Sequence, residues 1–136
     1  MAAFLARAGS IRVSQLIAIA AGGAAGALLR YWVSTGVYGL LGRSFPHGTL
    51  AVNVLGSMLM GLLYVLFMER MAVVPEVRAG LLVGLLGAFT TFSTFSIETL
   101  NLIEQADLVK AGLNILLSVG ACILATWLGV SVARQL

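Results

Sequence analysis

The sequence predicts an all-α membrane protein of four transmembrane helices, and three observations predict it. Of 136 residues, 60% are hydrophobic and only 10% are charged, against roughly 45–50% and about 25% in soluble domains. The charges divide the chain into uncharged runs of a size that crosses a hydrocarbon core, roughly 20 helical residues. The connections between those runs are short and polar. Soluble globular, disordered and nucleic-acid-binding classes are excluded together. The net charge of +3 does not restore a nucleic-acid partner, because the eight Lys and Arg are scattered singly.

The uncharged runs cover 13–29, 48–68, 79–97 and 111–133, which are 17, 21, 19 and 23 residues long. They place helices at about 13–38, 48–68, 77–104 and 109–134. The first connection carries Gly39, Gly42, Arg43, Ser44, Pro46 and Gly48, which are loop punctuation. The second carries Glu69, Arg70, Pro75, Glu76 and Arg78, and the third Glu104, Gln105, Asp107 and Lys110. No stretch is long enough for a soluble unit, so 1–136 reads as one transmembrane domain. Arg7, Arg12 and the small residues Ala18 and Ala20 faintly resemble a signal peptide. The apolar run continues past that site, so it reads as the first span. Arg7, Arg12, Arg70, Arg78 and Arg134 fall on the side of the termini, against Arg43 and Lys110 opposite, with Arg30 near that interface. The positive-inside rule then favours cytoplasmic termini.

Sixteen glycines are present, many inside the spans. Gly22 and Gly26, Gly80 and Gly84, and Ser57 and Gly61 are each four apart. Such pairs let helix backbones approach in lipid, where apolar surface alone gives little reason to associate. Four thin helices enclose little space, so a transport path calls for an oligomer, most simply a dimer.

The polar residues inside the spans are not scattered. Asn114, Ser118, Cys122 and Thr126 recur every four residues, which keeps them on one helix face. Asn53 and Ser57 do the same on the second span. Such a stripe is a polar pathway or an interhelical seam, while a single serine often only bonds back to its own helix. The third span alternates hydroxyl and aromatic residues after Gly84 and Gly87, from Phe89 to Ser96. Poor helix formers in that number allow a mid-membrane break whose carbonyls could hold a cation. They equally allow an intact helix. Arg30 lies roughly 25 Å along the first helix, beside Tyr31 and Trp32, as a snorkelling anchor or a charge serving the path. Glu98 shares a face with Thr91 and Thr94, as an ion-path group or an interfacial carboxylate. His47 and Cys122 are single residues, which leaves no triad or metal cluster, and no phosphate-binding loop marks a nucleotide partner. The chain does not read as an enzyme.

Three stretches together resemble one family, the small bacterial fluoride channels called CrcB or Fluc. They are Gly22-Gly23-Ala24-Ala25-Gly26-Ala27-Leu28-Leu29-Arg30-Tyr31, then Gly48-Thr49-Leu50-Ala51-Val52-Asn53-Val54-Leu55-Gly56, then Gly87-Ala88-Phe89-Thr90-Thr91-Phe92-Ser93-Thr94-Phe95-Ser96 with Glu98. Length and span count match as well, and the fourth span matches through its polar stripe.

The resemblance implies a dual-topology, antiparallel homodimer in the bacterial plasma (inner) membrane, multi-pass, with a broken third helix. It implies two fluoride pores at the subunit interface and a structural sodium ion at the dimer centre. Phe92 and Phe95 would line the pore. Asn53, Thr91, Thr94, Glu98, Asn114, Ser118 and Thr126 would belong to the fluoride pathway. Arg30 would stand at a pore mouth, and the carbonyls of Gly87 and Thr90 would hold the sodium. The excess of basic residues on one side departs from the balance that dual insertion favours. Asn114 and Cys122 depart from the hydroxyls expected in the fourth-helix stripe. Small multidrug resistance proteins, proton-coupled exporters of similar size, are the main rival, but they need a carboxylate in the first helix and this span has none. A non-transporting membrane assembly subunit would explain the glycines but not the polar stripes.

Overall fold

The computed structural model describes residues 12–136. All regular structure among them is helical, and four helical spans are long and apolar enough to cross a membrane. The first is α1, Val13–Leu41. The second is α2, His47–Arg70, whose last turn Leu66–Arg70 winds as a π-helix. The third span, Pro75–Glu104, comprises α3 at 75–89 and α4 at Phe92–Glu104. The last is α5, Leu108–Gln135. Arg7, one of the basic residues on the side of the termini, lies outside the described residues.

Local sequence sets the ends. Helix α1 stops at Gly42, whose φ of 78° suits a residue without Cβ. Helix α3 opens on Pro75, whose fixed φ and missing N–H suit a first helical turn. Its stretch Ala79–Leu86 is π-helical, a widened winding found often at functional sites. Helix α4 ends in a two-bond motif: Ala106 N–H donates to Ile103 O at 2.9 Å and Asp107 N–H to Leu102 O at 2.9 Å. Ala106 sits there at φ 60°, the left-handed position that glycine usually fills. Asp107 then caps α5, its Oδ1 accepting from Lys110 N–H at 3.3 Å.

Glycine decides which helices lie closest. A Cβ on Gly22 would strike the Gly80 carbonyl, and one on Gly26 the Leu85 carbonyl, so α1 seats on α3. A Cβ on Gly61 would strike the Thr126 carbonyl, and one on Gly129 the Met58 carbonyl, so α2 seats on α5. Two backbone-close pairs therefore hold the bundle by dispersion. Buried apolar side chains are few, with Leu86, Val52 and Val65 the largest that are fully enclosed. Leu16, Leu116 and Leu124 point outward, as a lipid-facing surface requires.

Charges gather at the two ends. Arg12 pairs with Glu76 at 3.7 Å and Arg134 with Glu69 at 3.3 Å at one end, and Lys110 pairs with Asp107 at 2.7 Å at the other. Exposed pairs of this kind contribute little to stability.

Candidate functional site: a polar groove and two adjoining cavities

Between Phe89 and Phe92 the helical backbone gives way to two extended residues. Thr90 has φ −83° and ψ 159°, and Thr91 has φ −153° and ψ 117°. Thr90 N–H still donates within the third span, to Leu86 O at 3.1 Å, while the other backbone groups find partners on α1 and α2. Asn53 of α2 donates Nδ2–H to Thr91 O at 3.0 Å and accepts Thr91 N–H on Oδ1 at 2.8 Å. In an unbroken helix that N–H would go to Gly87 O. Thr91 Oγ1 caps α4 by accepting Thr94 N–H at 3.2 Å, and Arg30 Nη1 reaches Thr90 O at 3.5 Å.

A groove of about 380 Å³ opens beside these residues. The α2 wall contributes Asn53, Gly56, Ser57 and Met60, and the α5 wall Ser118, Val119, Cys122, Ile123 and Thr126. Thr90, Thr91, Phe92 and Phe95 close it from the third span. The sequence stripes on α2 and α5 thus face one space. Gly56 is needed there because a Cβ would strike the Thr90 methyl group. Phe92 and Phe95 lie with ring centroids 5.3 Å apart, tilted by 46°. Phe95 is 8% exposed and Phe92 is 75% exposed. One ring is fixed by packing, and the other stands free at the groove edge.

The hydroxyls of Thr126 and Ser118 are already engaged. Thr126 Oγ1 lies 3.2 Å from Ser57 O and 3.0 Å from Cys122 O, and Ser118 Oγ donates to Asn114 Oδ1 at 3.4 Å. Asn114 does not line the groove. It is buried behind it, donating Nδ2–H to Thr99 Oγ1 at 2.8 Å, while Thr99 donates to Phe95 O at 2.7 Å. This chain ties the backbone of a groove phenylalanine to α5.

Arg30, Thr94 and Glu98 lie elsewhere, in a cleft of about 250 Å³ with Ser34, Tyr38 and Thr49. Thr91 lines both this cleft and the groove. Beyond it an outer cavity of about 360 Å³ is lined by Arg43, Asn101, Gln105 and Lys110, with Tyr38 and Glu98 in its wall too. Tyr38 donates to Glu98 Oε1 at 2.7 Å.

Sequence reasoning missed Tyr38, Thr49 and Thr99. A signal existed for Tyr38, since Arg30, Ser34 and Tyr38 are four apart and share one face of α1. Thr99 likewise follows Phe95 by four residues. Among the described residues no group of His, Cys, Asp and Glu could hold a metal ion. The polar groups lining the Phe92 groove are neutral, hydroxyls and an amide, beside apolar rings.

Residues 17–130 match the family described as CrcB-like protein, Camphor Resistance (CrcB). A fluoride-specific ion channel FluC of Methylococcus capsulatus is 62% identical over 122 residues, covering 90% of this chain and 54% of that protein. This chain therefore spans about half of that relative's length. The FluC of Geobacter sulfurreducens is 48% identical over 124 residues, covering 91% of this chain and 100% of the relative. That of Magnetococcus marinus is 54% identical over 120 residues, covering 88% and 98%. With the family's pattern matched over most of this chain and high identity to relatives covered almost end to end, the chain belongs to the CrcB-like family.

Proposed function

We propose that this chain is one subunit of a fluoride-selective channel through which cytoplasmic fluoride leaves passively. One observation carries the reading: Phe92, Phe95, Asn53, Ser118 and Thr126 all line a single groove between helices long and apolar enough to cross a membrane. Fluoride is small and strongly hydrated, and transferring it bare into an apolar space would cost tens of kcal/mol. A row of weak donors can replace its water. Ring edges carry positive potential, and the hydroxyls of Ser118 and Thr126 can rotate from their present acceptors toward an anion. The second Nδ2 hydrogen of Asn53 remains available beside the one given to Thr91.

The freely standing Phe92 ring and the open side of the groove support a second, antiparallel copy closing it, with one pore on each side of the interface. We read Thr90 and Thr91 as a break of the third helix at membrane depth. The residues there fit the structural sodium that the family implies. Gly87 O has lost its usual helical donor to Asn53, and Thr90 O, with only a long bond from Arg30, keeps a lone pair free. A bound sodium would supply a fixed positive charge at the dimer centre. Arg30, reaching the same carbonyl, adds positive charge along the anion's route.

Hydrogen fluoride crosses membranes neutral and dissociates inside at neutral pH. An inside-negative potential then drives the anion outward, by about 2.3 kcal/mol per charge for each 100 mV. The test is reconstitution in liposomes loaded with potassium fluoride or potassium chloride, followed by valinomycin. Rapid fluoride efflux with negligible chloride efflux is the expected result. Equal leakage of both ions, or of neither, rejects the channel.

A further inference from the structure

The three cavities adjoin through shared wall residues: Tyr38 and Glu98 line both the outer cavity and the cleft, and Thr91 lines both the cleft and the Phe92 groove. The first junction is held rigidly on one side only. The Tyr38 ring lies against Gly48, where a Cβ would strike the ring edge, and the Arg43 guanidinium stands 5.0 Å from its centroid. Its hydroxyl lies 3.4 Å from Thr49 Oγ1 and donates to Glu98 Oε1 at 2.7 Å. Glu98 Oε2 is buried and has no hydrogen-bond partner among the described residues. One bond from a clamped donor therefore sets where this carboxylate stands. A carboxylate fixed at the junction repels any anion that approaches it.

We propose that Tyr38 is a positioning residue that holds Glu98 as a bar between the outer cavity and the cleft. An anion on the loop side then reaches the Phe92 groove when the Tyr38–Glu98 hydrogen bond parts. This inference rests on the fluoride-channel reading. Once released, Glu98 can turn toward the cations lining the two cavities, Arg43 of the first loop and Lys110 of α5 in the outer one, or Arg30 of α1 in the cleft. Lys110 is already matched by Asp107, whereas Arg43 has no carboxylate within 4.0 Å among the described residues. Arg43 is thus the cation best placed to receive it.

The test is Tyr38→Phe, which keeps the ring and its contacts with Gly48 and Arg43 and removes only the hydroxyl. Fluoride efflux is measured in liposomes across a range of fluoride concentrations, with chloride as control. The maximal rate should rise about threefold or more, the range one lost hydrogen bond permits. The half-saturating fluoride concentration and the exclusion of chloride should stay unchanged. A merely structural role could lower the number of active channels but could not raise the rate with this split. An unchanged or lower maximal rate, or a shift confined to half-saturation, overturns the proposal while leaving the channel reading intact. No fluoride efflux from the unsubstituted chain rejects both.

Discussion

The side chain of Asn53 and the backbone of Thr91 exchange two hydrogen bonds, at 3.0 and 2.8 Å. An amide side chain here does what a neighbouring strand does in a sheet, satisfying an N–H and a C=O of one residue at once. Asn53→Leu is expected to destabilise the protein by about 2–4 kcal/mol, since two buried backbone groups lose their partners. Asn53→Asp keeps the acceptor but faces Thr91 O with another oxygen, and should recover only part of the loss. Thermal unfolding in detergent compares the three forms.

The two phenylalanines should separate transport from stability. Phe92→Ile is expected to slow fluoride efflux by about tenfold or more, equivalent to about 1.4 kcal/mol in the barrier, while leaving the melting temperature unchanged. Phe95→Ile should lower both, because its ring is enclosed. Unchanged efflux with Phe92→Ile would show that the free ring does not face the ion.

The Phe95–Thr99–Asn114 chain predicts a conservative rescue. Thr99→Val removes the hydroxyl that joins α4 to α5 and leaves the Asn114 amide without its partner. A loss of about 1–3 kcal/mol follows. Thr99→Ser should restore most of it in the same unfolding measurement.

Glycines should divide by what surrounds them. Gly26→Ala and Gly129→Ala each push a methyl group into a carbonyl of the facing helix, and about 1–3 kcal/mol of overpacking cost is expected. Gly36 has nothing within 4 Å of an added Cβ, so Gly36→Ala should be neutral or stabilising by up to about 1 kcal/mol. Equal melting temperatures for Gly26→Ala and Gly36→Ala would contradict the close α1–α3 seating.

Ala106 offers the opposite change. It holds a left-handed backbone at the end of α4, which costs a residue bearing Cβ about 1–2 kcal/mol. Ala106→Gly is expected to raise stability by up to about 1 kcal/mol, less the entropy glycine loses on folding. A lower melting temperature would argue against that turn.

Much of this was legible from sequence because the bilayer imposes simple rules. Charge spacing marked four apolar helices, and steps of four placed Ser118, Cys122 and Thr126 together on one face. What pattern could not supply is pairing across helices. Asn53 reads as a polar residue on α2, and nothing local says that its partner is the Thr91 backbone 38 positions away. Asn114 lies in the α5 stripe, yet it is turned behind the groove to meet Thr99. A helical period of 3.6 lets a four-residue stripe drift around the axis, so one stripe can serve both a groove and a seam. Tyr38 was overlooked because an aromatic residue near a helix end reads first as an interfacial anchor.

The glycine seats also bear on the order in which the chain is made. Helix α1 seats on α3, and α2 seats on α5, so each close pair skips over at least one intervening helix. Consecutive spans also touch, since Gly48 of α2 lies against the Ser34 carbonyl and Tyr38 ring of α1, but the Gly22, Gly26, Gly61 and Gly129 seats need later spans. Helix α1 gains its backbone-close partner only when the third span arrives, and α2 only when the last one does. The contact of α1 with α2 alone therefore leaves the Gly22, Gly26 and Gly61 seats unfilled until later spans are made. The bundle closes late, when α5 supplies Gly129 and Thr126 to the waiting face of α2.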